Sequence, residues 1–306
     1  MKKKALSNYI FNVIYGFIWL ITWLPLRVLY LFSDVFFLII YYVIPYRKKT
    51  VRNNLKNSFP DRPIKDIKRI ERKFYRYFCD VFIETIYLTH MSKKEMSKRF
   101  DVGSPEVILE QHSRGKSVLL MTAHYGNWEW GSSLALVLSN NATLYSIYKE
   151  LANKQFGKMM DKLRSRFGGK NIETQDLLRT MVNLKKEGKI STFGMISDQS
   201  PFRKYIHYWS TFMNQDTPVL TGTEQLARKF DYPVVYVHFV RVKRGFYKCE
   251  YYPISLEPQK TTEYEITEKY LRILEQKINE TPEYWLWTHK RFKHKRNTDV
   301  QNSQKN

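Results

Sequence analysis

Two long apolar stretches, almost free of charge, open the chain. Residues 9–24 read YIFNVIYGFIWLITWL, and residues 28–46 read VLYLFSDVFFLIIYYVIPY. The first stretch is shorter than the roughly 20 residues that cross a bilayer as a helix, and Pro25 would kink a helix that ran through both. The pattern predicts a membrane anchor over residues 1–46, either a single span or a pair that re-enters the membrane or lies on its surface.

Behind the anchor, apolar residues recur every three or four positions over 61–89, which predicts a long helix. Short apolar runs of strand length then alternate with helical patterns. This alternation is typical of an α/β fold, in which helices cover a sheet. The predicted strands are 117–123, 142–148, 190–197, 233–240 and 246–255, and the predicted helices are 105–112, 128–138, 153–167, 174–187, 217–230 and 263–279.

The formal net charge of +22 favours an anionic partner, such as nucleic acid, an anionic membrane surface or an acidic substrate. Much of this charge follows the anchor, because residues 47–78 hold twelve Lys or Arg and three Asp or Glu. Basic residues stay on the cytoplasmic side of a membrane anchor, so the domain predicted over 47–293 should be cytoplasmic. Residues 294–306 are polar, and we predict a loose tail there.

A histidine and a glutamate stand five positions apart at a predicted strand–helix corner, in the segment TAHYGNWEWG. On a continuous helix, His124 and Glu129 would point about 140° apart. A turn at Gly126-Asn127 would allow them to meet. Histidine is the usual general base for a hydroxyl, and a carboxylate on its other ring nitrogen fixes the tautomer. The alternative is a purely structural pair.

Other chemistries are less consistent with this segment. It has no serine or cysteine in an elbow motif, so the base would act directly on a substrate hydroxyl. No His-Glu-x-x-His spacing is present, and two cysteines, Cys79 and Cys249, are too few for a cysteine-rich metal site. We therefore predict no metal site.

The ordered motifs of the chain resemble those of the lysophospholipid acyltransferase superfamily, and more narrowly the bacterial lipid A biosynthesis late acyltransferases of the lauroyl or myristoyl type. That family has the form His-(Phe/Tyr)-Gly-Asn-Trp-Glu in its first motif. The resemblance covers nearly the whole chain. The further matching blocks are YKELANKQFGKMMDKLRSRFG (148–168), GMISDQS (194–200), TPVLTGTEQLARKFDYPVV (217–235) and PEYWLWTHKRFK (282–293).

The resemblance implies a mixed sheet flanked by helices, like that of glycerol-phosphate acyltransferases, with an N-terminal membrane helix. It also implies that His124 takes the proton from an acceptor hydroxyl while Glu129 orients His124. The hydroxyl then attacks an acyl carrier protein (or coenzyme A) thioester directly, so the resemblance implies no acyl-enzyme and no cofactor. The acceptor would be an anionic glycolipid, a lipid A precursor, at the bacterial inner membrane, with the catalytic domain on the cytoplasmic side.

Five further positions are candidates for substrate binding. Arg164 could bind phosphate or brace Glu129, and Asp198-Gln199 could line the site or form a turn. Asn127 could bind substrate or cap the following helix. Lys149 stands where many family members carry Arg-Pro, which leaves the acceptor open. Trp285 and Trp287 would pack in the protein or line an acyl pocket.

Three rival functions remain. The same chemistry could act on another lipid acceptor, such as a lysophospholipid or an aminolipid. The basic charge would permit a membrane-tethered nucleic-acid binder, but no RNA-binding aromatic–glycine signature or zinc-knuckle spacing is present, so we predict no nucleic-acid partner. A binding protein with an inactive site is the third.

Overall fold

The structure, a computed structural model, describes residues 15–138, 142–150 and 153–296. Its centre is a seven-stranded sheet in the order β1-β9-β8-β2-β5-β3-β4. The pair β8–β9 is antiparallel and the other neighbours are parallel, which makes the sheet mixed as expected. The sheet strands are β1 Phe100–Asp101, β2 Val118–Thr122, β3 Ala142–Tyr148, β4 Lys170–Glu173, β5 Ile190–Ile196, β8 Val234–Lys243 and β9 Phe246–Ser255, and a separate hairpin joins β6 Trp209–Phe212 to β7 Gln215–Pro218.

Helices cover both faces of the sheet and enclose one large apolar cluster on each side. All five residues of β2 are buried, because the strand lies between β8 and β5 with helices on either face. The described chain begins with helical residues 15–21 (α1). The further α-helices are α2 Leu26–Leu38, α3 Lys48–Ser58, α4 Ile64–Tyr87, α5 Lys93–Arg99, α6 Glu106–Ser113, α7 Lys154–Arg164, α8 Leu177–Lys186, α9 Gly222–Phe230 and α10 Glu265–Glu280.

One apolar helix near the N-terminus could cross a membrane by its length and composition. It runs over Leu26–Val43, where a π-helical turn at Ile39–Val43 extends α2. This corresponds to the second predicted apolar stretch. Of the first stretch, residues 9–14 lie outside the described part of the chain. The same holds for residues 297–306 of the predicted tail, and the domain boundary at residue 46 stays a prediction.

Most predicted elements are present, with two corrections. The helix predicted over 217–230 is wrong in its first part, because β7 ends at Pro218 and α9 begins only at Gly222. The sequence pattern did not predict the tight hairpin between β6 and β7, in which Met213 and Asn214 both adopt positive φ angles. The helix predicted over 128–138 is a 3₁₀ helix, Trp130–Leu136.

Candidate active site

The site is built where two parallel strands end side by side. Strands β2 and β5 are paired in register, and Thr122 lies opposite Ile196. His124 and Asp198 each stand two residues beyond that pair, so the same register brings both to the carboxyl edge of the sheet. Sites in open α/β sheets gather at this edge. The His124 Nδ1 atom lies 2.7 Å from Asp198 Oδ1.

Asp198 is buried and accepts three hydrogen bonds. Besides the imidazole, the backbone N–H of His124 donates to Oδ2 at 3.0 Å, and Trp285 Nε1 donates to Oδ2 at 2.8 Å. Burial alone would raise the pKa of this carboxyl, but the charge and hydrogen bonds of His124 and the Trp285 hydrogen bond outweigh it, so the pKa is lowered. Asp198 is therefore ionised at neutral pH and holds His124 with its proton on Nδ1.

The family resemblance implied that Glu129 orients His124, but in this structure the imidazole is bonded to Asp198 and Glu129 is bonded to other groups. Its carboxylate forms a bidentate pair with Arg164, with Nε to Oε2 at 2.8 Å and Nη2 to Oε1 at 2.7 Å, and accepts a further hydrogen bond from Trp128 Nε1. The physical reason is that Asp198 already occupies the Nδ1 position of His124. Of the two interpretations of Arg164, bracing Glu129 is the one observed.

Burial of the Arg164–Glu129 pair lowers the pKa of the guanidinium, but the adjacent carboxylate more than compensates and the pKa is raised. The Arg164 guanidinium is therefore charged. Trp128 lies between this pair and the imidazole, since its indole contacts the His124 ring at a centroid distance of 5.2 Å. The pair thus forms the wall beside His124 rather than a hydrogen-bond partner for it.

Asn127 is fully buried, and both ends of its side chain are bonded within the protein. Oδ1 accepts the backbone N–H of Trp130 at 3.1 Å, and Nδ2 donates to Glu84 Oε2 at 2.7 Å. Asn127 therefore caps the 3₁₀ helix, as the alternative interpretation proposed. Glu84 was not singled out from the sequence, because it lies 40 positions before His124, in the last turn of a long amphipathic helix.

The turn between His124 and Asn127 requires glycine. Gly126 has a φ of +57°, and a Cβ atom there would lie 2.0 Å from the backbone oxygen of Phe239. Its N–H donates to the Tyr284 carbonyl at 3.1 Å, and the Leu286 N–H donates to the His124 carbonyl at 3.1 Å. The segment 282–293 thus holds the backbone of the histidine turn in place by two hydrogen bonds.

The remaining candidates lie at different distances from the imidazole. Gln199 Nε2 is 3.3 Å from His124 Nε2. Lys149 is exposed and does not reach the imidazole in this structure, since its ammonium group lies over the ring of Phe202, 4.3 Å from the centroid. Trp285 and Trp287 are buried and pack edge to face at 4.7 Å, so both are packing residues. The direct bond from Trp285 to Asp198 was not foreseen.

His124 remains accessible within this frame, with 17% of its side chain exposed. Because Nδ1 donates to Asp198, Nε2 carries a lone pair and can accept a proton. Among the described residues, no three His, Cys, Asp or Glu side chains converge as metal ligands would. The lone pair on Nε2 is suited to base chemistry on a hydroxyl.

Nearly the whole chain is similar to known proteins. The family model for bacterial lipid A biosynthesis acyltransferases matches residues 1–294. The chain is 23% identical over 253 residues to the lipid A biosynthesis palmitoleoyltransferase of Escherichia coli (strain K12) and to a lipid A biosynthesis acyltransferase of Shigella flexneri, with 81% of this chain and 79% of each relative covered. It is 22% identical over 252 residues to the lipid A biosynthesis acyltransferase of Haemophilus influenzae, covering 79% of this chain and 74% of the relative.

The match extends over the segment predicted to be an anchor, the histidine turn, Asp198 and the tryptophan block of residues 282–293 alike. On this ground the chain is an acyltransferase and belongs to the bacterial lipid A biosynthesis acyltransferase family.

Proposed function

We propose that the protein transfers a fatty acyl chain from an acyl carrier protein thioester to a hydroxyl of a lipid A precursor, with His124 as the general base. The observation that carries this proposal is the accessible imidazole whose Nδ1 atom is bonded to the buried carboxylate of Asp198. That arrangement leaves Nε2 as the ring atom that can accept a proton.

The reaction is a direct transfer in which the enzyme forms no covalent bond to the acyl group. The acceptor O–H gives its proton to His124 Nε2 as its oxygen attacks the thioester carbonyl carbon. Asp198 stabilises the imidazolium that forms. The carbon–sulfur bond then breaks, and the imidazolium returns the proton to the departing thiolate. The products are an ester and a free thiol.

Gln199 takes a second role in this proposal. Its side-chain N–H groups lie within hydrogen-bonding distance of the imidazole. When the acceptor hydroxyl occupies the position next to Nε2, the Gln199 amide is released from the imidazole. It can then donate to the oxygen of the tetrahedral intermediate, as donors of an oxyanion hole do. Glu129 and Arg164 act as a rigid wall through Trp128, not as proton carriers.

Charge near the site supports anionic substrates. Lys149, Lys154, Lys158 and Lys204 are exposed on the segments that flank the site. Such a surface suits an acidic carrier protein and a phosphorylated glycolipid. We propose that the enzyme works at the inner membrane with residues 47–293 on the cytoplasmic side, in line with the basic segment 47–78.

The test uses the purified full-length enzyme in detergent, with labelled acyl carrier protein and coenzyme A thioesters. The acceptors are a lipid A precursor, a lysophospholipid and an aminolipid. We expect transfer from the carrier protein to the hydroxyl of the lipid A precursor, abolished in H124A and retained in H207A, which removes an exposed imidazole. Undiminished transfer in H124A would disprove the assigned base. Transfer confined to the lysophospholipid or aminolipid would replace the proposed acceptor.

A further inference from the structure

The apolar helix over Leu26–Val43 is joined along its whole length to helix α4. Tyr30 donates to Glu84 Oε1 at 2.6 Å, and Ser33 donates to Asp80 Oδ1 at 2.7 Å. Two further contacts continue in the same antiparallel order along the two helices. These are the Phe37 ring with the Arg76 guanidinium at 5.3 Å and the Tyr41 hydroxyl with Glu71 at 3.2 Å. The Phe36 and Phe82 rings also contact each other, at a centroid distance of 5.8 Å.

An ion-pair cluster lies against the middle of the same helix. Asp34 pairs with Arg244 at 2.8 Å, and Arg244 also pairs with Asp80 at 2.6 Å. Asp34 is the ninth of the eighteen residues in the apolar segment. If this segment spanned the bilayer, the cluster and the part of α4 around Asp80 would lie near the bilayer centre. Charged groups are strongly disfavoured there.

The opposite face of the segment is apolar and exposed. Its members recur with helical spacing and form one stripe. Exposed basic residues stand near both ends of the stripe, at Arg27, Arg47 and Lys49. The exposed stripe consists of Val28, Leu31, Phe32, Val35, Leu38, Ile39, Tyr42 and Val43.

We propose that the helix over Leu26–Val43 lies in the plane of the membrane, with this stripe immersed in one leaflet that carries anionic headgroups. A one-sided apolar face with basic flanks is the pattern of an interfacial helix, whose apolar side enters about 5–10 Å into the headgroup–acyl boundary. The membrane is that of the proposed function, on which this inference rests.

The in-plane helix has a consequence for the active site. Glu84 accepts from Tyr30 of the helix and from Asn127 of the histidine turn. One buried carboxylate therefore connects the membrane-facing helix to the turn that carries the base. With the helix in the plane of the leaflet, the height of His124 above the lipid is fixed by this connection.

The test measures depth and involves no acyl transfer, so its failure is distinct from failure of the proposed function. Three variants, V28C, V35C and Y42C, each carry one nitroxide label in a background of C79A and C249A. Each full-length variant is reconstituted in vesicles of phosphatidylethanolamine and phosphatidylglycerol. Accessibility to oxygen and to a nickel chelate then reports the depth of each label. K68C, on the exposed side of α4, is the aqueous control.

We expect the three labels to lie at the same depth within about 5 Å, all shallower than the bilayer centre. A spanning helix would place successive labels about 10 Å apart in depth, because seven residues rise about 10 Å, and that gradient would overturn the proposal. Strong dipolar coupling between labels without oxygen accessibility would also overturn it, since the stripe would then be buried against a second copy of the chain.

Discussion

The imidazole of His124 is bonded to the carboxylate of Asp198, 74 positions further along the chain, and not to that of Glu129. Glu129 is instead bonded in bidentate fashion to Arg164. The two acidic groups near His124 thus have separate structural roles. Asp198 determines the state of the imidazole, and Glu129 holds the wall of the site together with Arg164.

This division predicts different outcomes for D198N and E129Q. An Asn at position 198 cannot stabilise the imidazolium, and the corresponding change in serine-protease triads lowers kcat about 10⁴-fold. We expect a loss of kcat on the order of 10³–10⁴-fold for D198N with folding retained. Nitrogen NMR of the His124 ring should show the Nδ1–H tautomer preserved in E129Q and perturbed in D198N. The reverse pattern would show that Glu129, and not Asp198, orients the His124 imidazole.

The Glu129–Arg164 pair should matter for stability. Removing one partner of a buried ion pair leaves an uncompensated charge and costs about 3–5 kcal/mol. We expect E129Q to lower the free energy of unfolding by that order, and the double variant E129Q/R164Q to recover part of it. E110Q is the matched control, because the Glu110–Arg114 pair is more than half exposed. An equal effect of E110Q and E129Q in denaturant unfolding would contradict this.

A comparison of two glycines isolates the tight contact beneath the histidine turn. Gly126 and Gly115 both have positive φ angles, but a Cβ atom at Gly115 meets nothing within 4 Å. We expect G115A to cost only the backbone strain of about 1 kcal/mol. G126A adds a collision with the backbone oxygen of Phe239, so it should prevent folding or displace the turn and abolish activity. Equal melting temperatures for the two variants would disprove the close approach.

Glu84 should act as a positioning residue through Asn127. Burial is the main reason that the pKa of this carboxyl is raised. E84Q weakens the acceptor that holds Asn127, and a misplaced turn should lower kcat by about ten- to a hundred-fold with KM little changed. The matched control is E71Q. Glu71 is equally buried on α4 and bonded to Tyr41 and Arg52, but it has no hydrogen bond to the turn.

A double-variant cycle separates positioning from general loosening of the fold. If Glu84 acts through Asn127, the effect of E84Q on kcat should largely vanish in an N127A background. The effect of E71Q should add independently. Additive effects of E84Q and N127A on kcat would argue against the connection.

Stability should fall in acid because of the buried His238. Burial, with a smaller contribution from Lys277, lowers the pKa of His238 to about 3, and Tyr236 is bonded to its Nδ1 atom at 2.8 Å. Between about pH 6.5 and pH 3 the unfolded state therefore binds the extra proton, so this contribution to stability is complete above about pH 6.5 and is lost as the pH falls. The contribution of His238 to the change in the free energy of unfolding is at most about 1.4 kcal/mol per pH unit.

The variant H238N keeps an acceptor near the Nδ1 position and removes the titrating group. We expect its stability to depend less on pH between 6 and 4 than that of the parent protein, as followed by denaturant unfolding at each pH. H207N, which removes an exposed imidazole, should leave the curve unchanged. An unchanged slope in H238N would show that other groups dominate acid unfolding.

The sequence by itself determined the elements that depend on local pattern. Apolar residues at helical spacing specified α4, and short apolar runs specified β2, β3, β5, β8 and β9. The same local chemistry marked His124, because the step from a buried strand to a glycine turn is visible within ten residues. The apolar segment over Leu26–Val43 could likewise be recognised from composition alone.

The partner of His124 was decided by tertiary structure. Chain order separates β2 from β5 by β3 and β4, yet β5 lies directly beside β2 in the sheet. Nearness in sequence favoured Glu129 as the partner. Strand order is a property of packing, and the parallel register of β2 and β5 places Asp198 beside His124 instead. The roles of Glu84 and Trp285 depend on tertiary structure for the same reason. Each reaches the histidine turn from a distant element, and such contacts form only when the layers of the fold pack together.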